Sequence, residues 1–148
     1  MASLPRRQSS AASGNLADRA RIVAGTSHFV AHCAECHSAP GVAAEDLAEG
    51  MYPKPPVLTH VASRRTPAEL FWILKHGIKM SGMPAWGDHG DPALWNIVAF
   101  LEHLPDTDAR QYAELTREAA AAGGHHMHGA AAMGGMDMSA HHQPGPAP

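Results

Sequence analysis

The chain has 148 residues and a formal net charge of −3 at pH 7, which indicates one domain with a tail and argues against a nucleic-acid partner. Hydrophobic residues make up 45% of the chain, but alanine supplies much of that share, and a domain with so thin a core often needs a metal or a cofactor. Two cysteines are too few for a disulfide framework, and no apolar run is long enough to span a membrane.

The N-terminal part begins with a polar segment and continues into a helix. Residues 1–15 are small and polar, so we expect a disordered segment ahead of one domain over residues 16–122. Apolar residues between Leu16 and Val30 recur close to the 3.6-residue period. This pattern predicts a first helix that ends near Cys33.

The middle of the chain is predicted to be loop, followed by a well-marked second helix. Residues 38–60 are rich in proline and glycine and indicate loop, with one helical turn near residues 43–48. The second helix ends at Gly77. Its start carries a threonine N-cap, a proline at the first helical position and the glutamate of a capping box: Thr66, Pro67 and Glu69.

Two more helices complete an all-α prediction. Residues 79–90 are predicted to be loop, and a third helix runs from Asp91 to the stop at Pro105. A fourth helix is expected over residues 108–122. Residues 123–148 consist mostly of Gly, Ala, His, Met and Pro, which indicates a flexible tail.

The motif Cys33-Ala34-Glu35-Cys36-His37 carries the chemistry. Two thiols at this spacing can form thioethers with the two vinyl groups of one haem, and the adjacent His37 can bind the iron. A thioredoxin-type redox pair also uses two cysteines at this spacing, but it follows a strand, whereas the segment before Cys33 is predicted to be helical. A zinc site would need two further ligands, and chance occurrence is the remaining alternative.

A methionine in a later loop is a candidate for the other axial position of the iron. The loop over residues 77–87 contains Met83 immediately before Pro84, in a glycine-rich setting where a methionine is a poor core filler. A thioether ligand raises the reduction potential of a haem and favours electron transfer.

With these motifs in this order, the chain resembles the class I cytochromes c, in particular the bacterial single-haem forms with a Gly-Met-Pro ligand loop. The resemblance covers residues 18–104. It implies an all-α fold with three to four helices around one covalently bound haem c. It also implies that Met83 binds the iron opposite His37; Met80 is the rival, and a histidine ligand or an open position stays as the third alternative.

The resemblance implies further packing around the haem. Gly25 and Phe29 share the helix face that, in this family, packs closely against an aromatic residue of the last core helix, here Phe100 or Trp95. A backbone carbonyl between residues 39 and 56 is expected to accept the second ring N–H of His37. We also expect Trp86 to pack near the ligand loop or a haem propionate.

With two protein ligands on the iron, the chain is expected to carry single electrons and not to be an enzyme. It would act as a free carrier or as the electron-transfer subunit of a respiratory oxidoreductase. One alternative is a copper-handling protein whose tail binds the metal while the haem domain changes its redox state. A second alternative is a haem enzyme with a labile sixth ligand.

Basic residues cluster between Lys54 and Lys79, where five of them accompany one acid, Glu69. We expect Lys54, Lys75 and Lys79 to border the exposed haem edge and to steer an acidic redox partner; the alternative is an ordinary solvated helix face.

The tail combines imidazoles, which suit Cu(II), with thioethers, which suit Cu(I). We therefore expect a copper site there, with low-complexity drift as the alternative. Its candidate ligands are His125, His126, His128, Met133, Met136 and Met138.

The chemistry predicts the bacterial periplasm, where haem is normally attached to exported chains. Arg6 and Arg7 are not followed by an apolar segment, so the N-terminus does not resemble a secretory signal. We expect that a leader was removed or that the start is mis-set, and that any membrane contact is made through a partner or a missing anchor.

Overall fold

A computed structural model describes residues 13–123, and these residues form an all-α domain of six helices, as the sequence predicts. The two 3₁₀ turns span Gly87–His89 and Leu104–Asp106. The helices are α1 (Arg19–His32), α2 (Asp46–Glu49), α3 (Leu58–Ala62), α4 (Pro67–His76), α5 (Asp91–His103) and α6 (Ala109–Gly123). Within the described range there is one isolated β-bridge, Ala39–Val42, and no strand.

The core is organised around the crossing of α1 and α5. A Cβ atom added at Gly25 would lie 2.7 Å from the carbonyl carbon of Asn96 and 2.9 Å from Cβ of Phe100, so only glycine permits this approach. Four residues further along α1, the fully buried Phe29 packs on Phe100 with ring centroids 4.9 Å apart. This contact confirms Phe100 as the partner of the α1 face.

Trp95, the other expected partner, has a different role. It is buried on α5 and stacks on Phe71 of α4, with centroids 4.3 Å apart and ring planes 16° from parallel. One face of α5 therefore packs on α1 and another packs on α4. Helix α6 also packs on α1, where the Tyr112 ring meets the Phe29 ring edge to face with centroids 6.3 Å apart.

The four longer helices lie where the sequence predicts them. The capping box of α4 is complete: the Thr66 hydroxyl accepts from the Glu69 backbone N–H at 3.3 Å, and the Glu69 carboxylate accepts from the Thr66 N–H at 2.8 Å. Gly77 ends that helix with φ +67°. The predicted helical turn near residues 43–48 lies at Asp46–Glu49.

Two predicted loops contain structure that the sequence did not reveal. Residues 58–60 belong to α3, a five-residue helix whose N-cap makes no side-chain hydrogen bond, so no capping signal marks its start. Residues 87–89 form a 3₁₀ turn inside the predicted loop over residues 79–90. The predicted N-terminal segment and tail lie outside the described residues, apart from residues 13–15 and Gly123. No helix within the described range is both long and apolar enough to cross a membrane.

We expect Gly25→Ala to lower the free energy of unfolding of the haem-loaded protein by about 3 kcal/mol, because the new methyl group would clash with backbone that cannot move independently. Gly50→Ala is the matched control, since the nearest atom to a Cβ there is an ordinary 3.9 Å away and φ is −86°. Guanidinium unfolding followed by circular dichroism measures both. Equal stability of the two variants would contradict the close crossing.

Candidate functional site

The Cys33–His37 motif forms a tight turn at the C-terminal end of α1. The Cys33 N–H still donates to the Phe29 carbonyl at 2.8 Å, as in a continuing helix. The Cys36 and His37 N–H groups then both donate to the Cys33 carbonyl, at 3.1 and 2.9 Å. This turn brings both thiols and the imidazole to the wall of one cavity.

The cavity has a volume of about 380 Å³ and a mainly apolar lining. Helices α4 and α5 supply aliphatic side chains, while the loops supply prolines and methionines. The residues that line it beside the Cys33–His37 motif include Phe29, Met51, Pro55, Leu70, Leu74, Met83, Trp86, Ile97 and Leu101. Cys33, Cys36, His37 and Met83, which are widely separated in the chain, are thus brought together.

The His37 ring is oriented by the backbone of the proline-rich loop. Its Nδ1 lies 2.8 Å from the Pro56 carbonyl oxygen. A carbonyl only accepts hydrogen bonds, so Nδ1 carries the proton and Nε2 keeps its lone pair for a metal. This bond confirms the expected carbonyl acceptor between residues 39 and 56.

The two rival methionines lie in different environments. Met83 lines the cavity and is partly buried, whereas Met80 is 96% exposed and has a positive φ of 63°. The loop closes on itself: the Met83 N–H donates to the Ser81 hydroxyl at 3.2 Å, and the Met83 carbonyl accepts from the Ile78 N–H at 3.2 Å. Met83 is therefore held at the cavity, and Met80 projects into solvent.

Gly82, next to Met83, has a packing role that sequence reasoning missed. A Cβ atom at Gly82 would clash with the terminal methyl group of Met51, another residue of the cavity lining. The Met51 side chain thus packs directly against the backbone of the Met83 loop. The sequence offers no local signal for this contact.

The surroundings of Cys33 suit neutral sulfur. Burial raises the pKa of the Cys33 thiol to about 12, and the neighbouring Cys36 adds to the shift. Zinc binding would need thiolates and further ligands, yet neither cysteine belongs to a group of three potential metal-binding side chains within the described range. No strand precedes the motif there either, so the thioredoxin context is missing.

These features fit a covalently bound haem. A thioether is neutral and tolerates the burial that disfavours a thiolate at Cys33. The cavity is apolar, as a porphyrin face requires, and His37 and Met83 offer a nitrogen and a sulfur at its wall.

The lysines of the expected docking face are partly neutralised. Lys54 pairs with Glu49 at 3.0 Å, and Lys75 pairs with Asp91 at 2.7 Å. Lys54 also lines the cavity, while Lys79 is exposed. The tail residues predicted to bind copper lie outside the described part of the chain.

A cluster of three histidines near the cavity was also missed by the sequence analysis. His28, His32 and His89 have ring nitrogens within 4.8 Å of one another, and His32 also lines the cavity. The spacing of His28 and His32 places them one helical turn apart, a signal visible in the sequence. Nothing local predicts that His89 joins them.

Comparison with known proteins identifies one family. Residues 20–101, more than half of the chain, match the model of the family described as cytochrome c oxidase, cbb3-type, subunit III. This range contains nearly all of α1, the Cys33–His37 motif, the Met83 loop and most of α5. Comparisons with curated proteins and with solved structures give no significant match.

Proposed function

Because the chain belongs to the family of cbb3-type cytochrome c oxidase subunit III, a class I c-type cytochrome domain, we propose that it is a single-haem carrier that passes electrons one at a time in an oxidase complex or to one. The observation that carries this proposal is the meeting of Cys33, Cys36, His37 and Met83 at one apolar cavity. The mainly apolar lining excludes water around a redox centre, which lowers the reorganisation that each electron transfer requires.

Each of the four residues has a distinct part in holding the haem. Cys33 and Cys36 supply the sulfurs for two thioether bonds, and His37 offers Nε2 to the iron because its Nδ1–H is engaged by Pro56. Met83 offers its sulfur from a loop that is held by hydrogen bonds of the Met83 backbone to Ser81 and Ile78. A haem c held in this way supplies an Fe(III)/Fe(II) couple with a raised reduction potential.

His37 and Met83 would both bind the iron of a haem in this cavity, which favours a carrier over an enzyme because the iron would then have no position left for a substrate. The hydrogen bonds within the Met83 loop support a persistent ligand and weigh against the labile-ligand alternative. The copper-handling alternative depends on the tail and stays a prediction from the sequence.

Covalent attachment is tested by acid extraction into organic solvent. The full-length protein, produced with an export leader and the haem maturation machinery, is expected to keep its haem. The Cys33→Ala/Cys36→Ala variant is expected to release whatever haem it binds, because only axial bonds remain. Haem extracted from the unsubstituted protein would refute the thioether bonds.

The axial ligand is tested by a pair of methionine variants. Met83→Ala is expected to lose the far-red charge-transfer band of methionine–iron bonding in the oxidised protein, and its reduced form is expected to bind CO. Met80→Ala, which changes an exposed side chain, is the control and is expected to keep the band. If Met80→Ala lost the band and Met83→Ala kept it, the assignment would be reversed; a band absent from the unsubstituted protein, with ready CO binding, would support the enzyme alternative.

We also propose that an acidic redox partner docks beside the cavity, near Lys54, Lys75 and Lys79. Lys54 and Arg65 both line the cavity, so positive charge borders its opening. The ion pairs of Lys54 with Glu49 and of Lys75 with Asp91 reduce that charge, which leaves Lys79 as the main free cation of the three. These pairs are exposed, so a more acidic partner can compete for the lysines at little cost.

The docking proposal predicts that Lys75→Glu/Lys79→Glu slows electron transfer to an acidic acceptor protein by roughly tenfold at low salt, and flattens its dependence on ionic strength. Arg110→Glu on α6, far from the cavity lining, is the charge-reversal control. Stopped-flow kinetics over a range of salt concentrations measures both. If the salt dependence of the double variant were unchanged, this face would be excluded as the docking site.

For location, we propose the periplasm. The support is chemical: thioether attachment of haem normally follows export.

A further inference from the structure

His28, His32 and His89 form a compact cluster at the C-terminal half of α1. His28 and His32 lie one turn apart on this helix, with ring centroids separated by 6.3 Å. His89 completes the triangle from the Gly87–His89 turn, at 5.7 Å from the His28 ring and 5.1 Å from the His32 ring. Two separate elements thus direct three imidazoles to one point.

The turn that carries His89 is fixed by backbone contacts. The Trp86 N–H donates to the Leu74 carbonyl at the end of α4 at 2.8 Å, and the His89 N–H donates to the Trp86 carbonyl at 3.1 Å. The Trp86 ring lies 5.3 Å from the His32 ring and 5.5 Å from the His89 ring. The Trp86 ring therefore lies against two of the three imidazoles, and the backbone contacts of this turn fix the position of His89 relative to α1.

We propose that His28, His32 and His89 bind a divalent transition-metal ion such as Zn²⁺, separate from the haem and from the tail. Zinc–nitrogen bonds of about 2.0–2.1 Å need ligand atoms roughly 3.3 Å apart in a tetrahedral site. One ring nitrogen of each histidine already lies within 4.8 Å of the other two, so metal binding would require the side chains to move together by about 1.5 Å or less. Three protein ligands leave a fourth position for water or another donor.

The chemistry of the cluster selects the class of ion. All three ligands are imidazoles and no carboxylate takes part, which suits zinc, copper and nickel and disfavours magnesium and calcium. Burial lowers the pKa of His28, and the neighbouring His89 and His32 lower it further. A lowered pKa favours the neutral imidazole of His28, which is the form that binds metals.

Zinc is the appropriate probe because it has no redox chemistry of its own with a haem. The experiment uses the full-length, haem-loaded protein in which the five tail histidines are replaced by alanine: His125, His126, His128, His141 and His142. Isothermal titration with Zn²⁺ is expected to reveal one site. His28→Ala/His89→Ala in the same background is expected to weaken that site at least tenfold.

The control variant is His60→Ala/His76→Ala, which removes two exposed histidines outside the cluster and is expected to bind Zn²⁺ like its parent. As a measurement independent of any cluster variant, proton–nitrogen NMR of the reduced protein follows the side-chain nitrogens. Shifts confined to His28, His32 and His89 would support the site. Equal zinc binding by the parent and the His28→Ala/His89→Ala variant, or shifts confined to other histidines, would overturn it.

Discussion

Helices α1 and α5 meet at Gly25, where their backbones are too close for any side chain. Everything at the site depends on this contact. Helix α1 delivers the Cys33–His37 turn, and α5 supplies Ile97 and Leu101 to the opposite wall of the cavity. If the two helices moved apart by the width of a methyl group, the thiols would lose their position relative to the apolar wall.

The second constraint is the pair of loops that approach the cavity from its other side. The proline-rich loop provides the Pro56 carbonyl, which accepts a hydrogen bond from His37, and the Met51 side chain, which packs against Gly82. The loop after α4 provides Met83. Neither loop has regular secondary structure at these residues. The Met83 loop is held by its own hydrogen bonds to Ser81 and Ile78, and Met51 of the proline-rich loop contacts it at Gly82. Such loops depend on what fills the space between them, and a haem-free chain would lack that support.

The sequence predicted those helices whose ends are marked by residues typical of helix termini. The Thr66 capping box, the Asp91-Pro92 start and the Gly77 stop marked helices that the structure contains. Helix α3 has five residues, no side-chain cap and one buried residue, Ala62, so no local signal in the sequence marks it.

The candidate site divides in the same way. The Cys33–His37 motif could be recognised in the sequence because it consists of five adjacent residues. The resemblance already favoured Met83 over Met80 as the iron ligand, and the structure adds that Met83 lines the cavity while Met80 is exposed. Choosing Phe100 over Trp95 as the packing partner needed the direction of each face of α5. The histidine cluster required His89 to return to α1 through a turn anchored on α4. Each of these depends on distances between residues far apart in the chain, which a single sequence does not encode locally.

The direction of α1 has an electrostatic consequence for everything attached to its last turn. A helix C-terminus carries the equivalent of about half a negative charge, because its last carbonyl dipoles point the same way without partners. Helix α1 ends at His32, so this partial charge lies beside both the Cys33–His37 turn and the histidine cluster. This partial charge would favour a cation at the cluster, and in a haem held by the Cys33–His37 turn it would favour the oxidised over the reduced state of the iron. The direction of this helix would thereby lower the reduction potential of the haem, and the effect would come from backbone dipoles and not from charged side chains.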